Sequence, residues 1–443
     1  MGILAVRRWS SLAPSERERL LARSTAAVFE PSLIASIDAI FQDVAARGDA
    51  AVLEVTAHFD GVTFDAAADL RVPAAELAEA HAGLEAGLLA GIREAIGNSR
   101  QFNEAQLAET ARDWTREVRP GFLVGEQFRA IPSAGLFVPC GKASYPSVLC
   151  QIGTPAVVAG VPRIVLVVPP TPGGGGKVDP ATLAVAHELG IREVFRANGP
   201  AGIAALTFGT ATIPRVRKIV GPGSPPVTAA QVLAQRYGVA TQMLCGPSES
   251  LLIADETADP WRLAIDLLNE AEHGIDSAAS LITTSEALVA AVETALAEQL
   301  PLLPPIRAAA ARAVLSDLGG AILVDSMAEA VGVANDYAAE HVQLATSDPE
   351  ATLASLRYAG EALLGQDTPI GASSYTIGIP ATLPTGGYAQ LNGGVTARTF
   401  LTSTSTARLS PEALAELAQP TLALADHEGF PAHAAAFRLR GLD

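Results

Sequence analysis

From Ile131 onward, short apolar runs alternate with segments of helical period, and this alternation limits the fold more than any other feature of the chain. Gly135–Pro139, Ile164–Val168, Glu193–Ala197 and Arg217–Gly221 read as strands. Pro146–Gly160 and Pro180–Gly190 read as helices, and another begins near Gly202. Strands joined by helices predict a parallel sheet with right-handed crossovers. A second alternation follows, with strands at Ser250–Asp255, Ala279–Thr284 and Ala321–Val324. Helices are expected at Ala258–Glu272, Ser285–Glu298 and Ser326–Tyr337. Before Ile131 the chain reads as mostly helical, with Ser32–Ala46 stopped by Gly48 and a longer helix over Leu84–Leu107. In the tail, Ser410-Pro-Glu offers a good N-cap followed by a good first helical residue.

At 443 residues the chain has room for two or three domains. Hydrophobic residues make up 49% and charged residues 17%, the balance of a globular protein. A net charge of −17 argues against nucleic acid and against anionic membrane surfaces. The only lysines are Lys142, Lys177 and Lys218. Cys140, Cys150 and Cys245 show no metal or disulfide spacing and read as reduced thiols. Met1–Trp9 is too short and too charged for a secretory core, and the apolar stretch Val148–Pro170 is broken by Gly153, Pro155, Gly160 and Pro162. A cytoplasmic location is the expectation.

Several motifs carry chemistry. Thr171-Pro-Gly-Gly-Gly-Gly-Lys177-Val178 lacks the first glycine and the hydroxyl after lysine that a phosphate loop needs, so it reads as a surface loop. No GxGxxG turn is present. Glu270 and His273 are three apart, a spacing that puts a carboxylate and an imidazole on one helix face, as in a metal half-site. Glu340 and His341, expected at the end of a helix, offer two adjacent proton acceptors. Cys245-Gly-Pro-Ser248-Glu249-Ser250 is a turn with a hydroxyl leading into a strand, and Glu428 and His433 lie close together near the end of the chain.

Together these stretches resemble the histidinol dehydrogenase family. The resemblance rests on Gly246-Pro-Ser-Glu249, Asp266–Gly274, Ala339-Glu-His341, Leu383-Pro-Thr385, Ser403–Leu409 with Ser410-Pro-Glu, and Ala432-His433; Pro222 also fits. It implies an α/β fold of two Rossmann-like domains with a small helical N-terminal arm and a C-terminal tail. The arm would be 1–26, one domain 27–133 with 246–395, the second (NAD side) 134–245, and the tail 396–443. It also implies a domain-crossed homodimer with shared active sites, zinc, NAD, and oxidation of an amino alcohol through an aldehyde to a carboxylate. His341 would be the base on the alcohol, and Glu340 would activate the water that attacks the aldehyde. Ser248 and Glu428 would contact substrate.

The implied metal and cofactor positions carry over in part. His273 and His433 match ligand positions, Glu270 stands where the family pattern has Gln, and Ser374 stands where it has Asp. Glu270, His273 and His433 would then make a site of two histidines and one carboxylate. Ala381 replaces a substrate-holding His, and Phe137, Ala201 and Ser224 replace NAD-contacting Tyr, Gln and Asn. These departures lead to the expectation of a metal- and NAD-dependent dehydrogenase that oxidises a small polar alcohol or amino alcohol other than histidinol to an aldehyde or carboxylate. The alternatives are a non-redox enzyme on the same scaffold, an authentic histidinol dehydrogenase, or a non-catalytic relic, which the retained Glu340-His341 pair disfavours.

Overall fold

A computed structural model describes residues 2–22, 29–141, 143–242 and 246–442. Lys142, Cys245 and the expected domain edges at 26, 27 and 245 lie outside the described residues. The strands, in chain order, begin with β1 (Val6–Arg8), β2 (Trp114–Arg119), β3 (Phe122–Ala130), β4 (Ala134–Phe137), β5 (Ile164–Val168), β6 (Glu193–Arg196), β7 (Lys218–Val220) and β8 (Ala240–Thr241). They continue with β9 (Glu249–Ala254), β10 (Ala278–Thr283), β11 (Gly320–Leu323), β12 (His341–Ala345), β13 (Glu361–Leu364) and β14 (Leu401–Leu409). β4 to β8 form a five-stranded sheet in the order β6-β5-β4-β7-β8, and a six-stranded sheet runs β1-β11-β10-β9-β12-β13. Both are parallel throughout.

The strand sequences explain this. β5 is Ile-Val-Leu-Val-Val and is buried along nearly its whole length, which requires helices on both faces of its sheet. One face is covered by a core that joins Ile37, Phe41 and Val44 to Phe137, Val165, Phe195 and Ile203. The other joins Ile92, Leu149, Ile152 and Leu183 to Leu136 and Leu166. The six-stranded sheet is covered by Leu263, Leu267, Val292 and Leu315 on one side and by Trp9, Val333 and Tyr337 on the other. Helix starts follow capping chemistry. Asp179, Asp259, Ser285 and Ser326 each accept a hydrogen bond from a backbone N–H in the first turn of the helix that follows.

The chain divides into two compact units, Met1–Glu104 with Ile131–Phe400, and Ala105–Ala130 with Leu401–Asp443. The structure distributes the N-terminal third differently from the expected boundaries. Val6–Arg8, assigned to a separate arm, is the edge strand of the six-stranded sheet. Helices Pro31–Arg47 and Asp49–Asp60, grouped with 246–395, share the core of the five-stranded sheet. Ala105–Ala130 belongs with the tail, because β3 pairs with β14 along its whole length and with β2 on its other edge. Among the described residues no helix is long and apolar enough to cross a membrane.

The first unit encloses a cavity of about 850 Å³. The five-stranded sheet presents its carboxyl ends to it, through Pro139 and Cys140 after β4, Asn198 and Gly199 after β6, and Pro222 to Ser224 after β7. This is the usual ligand position of an open parallel sheet, next to the point where strand order reverses. The six-stranded sheet presents its amino ends instead, through Ser248 before β9, Ser277 before β10, and Glu340 with His341 at the start of β12. Gly221, at the end of β7, has φ +146° and leaves only 2.0 Å between an added Cβ and the carbonyl oxygen of Phe137. Gly221→Ala should therefore lower the unfolding free energy by about 3 kcal/mol, from backbone strain plus overpacking, as read by denaturant titration.

Candidate active site

Glu340 and His341 stand together at the start of β12, between β9 and β13. Helix Met327–Tyr337 ends in Ala338, the one non-glycine residue with positive φ (+47°) among the described residues. A non-glycine residue in that conformation marks a constrained turn. It reverses the chain into Glu340 and opens β12 at His341. The expectation that Glu340 and His341 end a helix is thus corrected: they lie past it, at the mouth of a strand, where the tight turn replaces a further helical turn. Both are buried, at 8% and 5% exposure, yet both line the cavity.

His341 lies between two carboxylates. Its Nε2 is 3.8 Å from Glu340 Oε1, and its Nδ1 is hydrogen-bonded to Glu361 Oε1 at 2.5 Å. Glu340 is fixed in turn by the backbone N–H of Glu249, which donates to its Oε2 at 3.1 Å. Burial works against a charged His341, but the charge of Glu340, the hydrogen bond and charge of Glu361, and the charge of Glu270 outweigh it and lift its pKa to about 10. Burial pushes Glu340 well above the ordinary carboxylate range; His341 opposes this, and Glu270 and Glu361 add to it. Each group therefore holds its proton more tightly than the same side chain does in water.

Glu270 ends the helix Pro260–Ala271 and is 1% exposed, with no hydrogen-bond partner for its Oε1. His273 lies beyond that helix, in the following turn, so the two do not share a helix face as the spacing suggested; the turn brings them together instead. Its Nδ1 lies 3.5 Å from Glu270 Oε1 and 3.2 Å from the Glu270 carbonyl oxygen. Donation from Nδ1 to that carbonyl leaves the Nε2 lone pair available to a metal. These two donors fit a divalent cation. Among the described residues no group of three or more His, Cys, Asp or Glu is placed to hold one.

The remaining expected residues divide clearly. Ser248, Ser374 and Ala381 line the cavity, but the Ser374 hydroxyl donates to the Ile370 carbonyl at 3.1 Å and is already engaged. Phe137 and Ser224 also line it, at the five-stranded sheet. Ala201 does not, being fully buried in the helix Gly199–Phe208, so a side-chain contact from position 201 is ruled out in this conformation. Glu428 and His433 are exposed in the second unit, Glu428 capping the helix Ala418–His427 and His433 within Pro431–Arg438. Where NAD would enter, helices Gly199–Phe208 and Pro225–Ala234 turn their N-termini to the cavity, a favourable end for a pyrophosphate. Asn198 Oδ1 is a buried acceptor without a partner there, and Asn198 Nδ2 donates to Asp60. That donor and acceptor set fits a dinucleotide.

Glu361 escaped the sequence analysis. The one signal that could have found it is a lone carboxylate opening the apolar run Ala362-Leu-Leu364, as Glu249 opens the run that follows it.

A family model described as histidinol dehydrogenase matches residues 24–441. The chain belongs to the histidinol dehydrogenase family. It is 39% identical over 431 residues to a histidinol dehydrogenase homolog of Colwellia psychrerythraea, covering 97% of this chain and 95% of that one. It is 39% identical over 433 residues to a histidinol dehydrogenase of Synechocystis sp., covering 97% and 98%. The crystal structure of histidinol dehydrogenase from Elizabethkingia anophelis superimposes with a TM-score of 0.92 at 31% identity, over 99% of this chain and 98% of that one. These relatives overturn the expectation of an alcohol other than histidinol. That expectation weighed a few altered contacts, whereas the likeness to proteins named for histidinol spans nearly the whole chain. The chain is an oxidoreductase of this family with an α/β fold.

The site makes a prediction about stability. His341 has a folded-state pKa of about 10 against an unfolded value near 6.5, so the folded state binds its proton more tightly. Its contribution is complete below pH 6.5 and is lost as pH rises through about 10. The difference in unfolding free energy between the wild type and His341→Asn should therefore be largest below pH 6.5 and shrink toward pH 10 in parallel denaturant titrations.

Proposed function

We propose that this chain is a histidinol dehydrogenase, oxidising histidinol through its aldehyde to histidine with NAD as acceptor. The observation that carries the reading is the buried Glu340-His341 pair opening onto a cavity that also holds Glu270, His273 and Ser248. When bound, NAD supplies the hydride acceptor and zinc a Lewis acid for the substrate's polar atoms. Glu270 and His273 are the residues of this unit that would hold the zinc. A cytoplasmic homodimer completes the proposal, with Glu428 and His433 in the tail of each subunit serving the other subunit's cavity. The resemblance supports that arrangement, and so does the pairing of Glu270 with His273 where, among the described residues, no third His, Cys, Asp or Glu joins them.

His341 takes the hydroxyl proton at Nε2, since Nδ1 is engaged by Glu361. A cationic substrate amine entering beside His341 lowers its pKa toward neutrality, which frees the base. Glu340, with a pKa raised by burial, is suited to take a proton from the water that adds to the aldehyde. The two oxidations remove two hydrides and consume one water, giving a carboxylate.

Histidinol and NAD should give two reduced cofactors per substrate with the zinc-loaded enzyme, followed by absorbance; a protein that forms none overturns the reading. His341→Asn should lower kcat about 10²- to 10⁴-fold, the usual worth of a general base. Glu340→Gln should slow the aldehyde stage most, so that a carbonyl trap captures aldehyde and the yield falls toward one reduced cofactor per substrate.

A further inference from the structure

Glu361 is buried at 7% exposure and does not line the cavity. It stands directly opposite His341 in the parallel register of β12 and β13, so the two side chains leave the sheet on the same face. Its Oε1 meets His341 Nδ1, and its Oε2 accepts a hydrogen bond from the Ser373 hydroxyl. Ser373 is 1% exposed, in the short helix Ile370–Tyr375. Both oxygens of a buried carboxylate are thus used, and the one basic group among its partners is the imidazole. The ionisable groups facing His341 are Glu340 beside it on its own strand segment, Glu361 on β13, and Glu270 from the helix Pro260–Ala271.

We propose that Glu361 is a positioning residue: fastened by Ser373, it keeps the proton of His341 on Nδ1 and turns the Nε2 lone pair toward Glu340 and the cavity. A neutral imidazole without such a partner divides its proton between the two nitrogens and rotates about its χ angles. A carboxylate that accepts from one ring nitrogen removes both freedoms and stabilises the imidazolium formed when the other nitrogen takes up a proton. Glu361 acts only through His341, because it has no surface on the cavity. The activity readout rests on the proposed function, and the spectroscopic readout does not.

The decisive variant is Glu361→Gln, which keeps shape and removes charge. With histidinol, kcat should fall about 10²- to 10⁴-fold, as when a carboxylate behind a catalytic histidine is replaced by its amide, while KM changes less than about threefold. The acid limb of the kcat–pH profile should move to lower pH, because the anion that raises the His341 pKa is gone. Ser373→Ala should cost about 3- to 10-fold, the worth of one hydrogen bond on the carboxylate. A folded Glu361→Gln enzyme with kcat within threefold of wild type and an unmoved acid limb overturns the proposal. The second measurement uses the wild-type dimer labelled with ¹⁵N-histidine, the His341 signal being identified by its loss in His341→Asn. With the ring brought to its neutral form above a pKa of about 10, a proton on Nδ1 and none on Nε2 is the expected result, and a proton on Nε2 with none on Nδ1 overturns the proposal even where Glu361→Gln does not fold. If histidinol is not turned over by the wild type, the functional reading falls while this measurement still decides the role of Glu361.

Discussion

An imidazole buried between carboxylates is expensive to assemble, and much of the local backbone is shaped by that cost. Taking a charge out of water is unfavourable unless every partner is in place. Here Glu340 is held by the N–H of Glu249, and Glu361 by the hydroxyl of Ser373, so neither carboxylate depends on His341 alone. The strained Ala338 and the closeness of Gly360 to the Glu340 carbonyl, where an added Cβ would come within 2.4 Å, set the two strand starts side by side. Raising both Glu340 and His341 puts two groups that hold and release protons side by side, as the proposed pair of oxidations with an intervening hydration would use.

The two sheets meet the cavity with opposite ends, and this division suits two kinds of ligand. Carboxyl ends of parallel strands lead into helix N-termini, whose partial positive charge favours phosphates. The five-stranded sheet supplies that end. Amino ends of strands carry no such bias, so charge there must come from side chains. The six-stranded sheet supplies it as Glu340 and His341, backed by Glu249 and Glu361 at the starts of the flanking strands β9 and β13. Diffuse backbone charge faces the cavity from one sheet, and titratable side chains face it from the other.

This contrast also governs what could be read from the sequence. β5, β9 and β10 are largely apolar runs bounded by Gly, Pro or polar residues, and hydrophobic patterning alone finds them within a residue or two. The position of His341 was misread because Ala338 carries a left-handed conformation without a glycine to announce it. Domain assignment of the helices Pro31–Arg47 and Asp49–Asp60 failed for a different reason. An amphipathic helix shows that it has a partner, but not which sheet, and the core joining Phe41 to Phe137 is formed across about a hundred residues of chain. Glu361 was invisible because a buried carboxylate is defined by its neighbours, and its nearest neighbour in space, His341, is twenty residues away in sequence.

The altered positions acquire a physical reading from the same geometry. Family resemblance places a carboxylate at position 374, where this chain has Ser374 bonded to a carbonyl of its own helix. Ser374 lines the same cavity as Glu270, and Glu270 and Glu361 both act on Glu340, one with an oxygen unpartnered and one spent on His341. A third beside them would add repulsion to a cluster in which burial already pushes Glu340 upward. A hydroxyl at 374 relieves that charge, and the open oxygen of Glu270 leaves the acid where a cation can use it. A carboxylate at 374 would thus add its charge to a cavity wall that already holds Glu270.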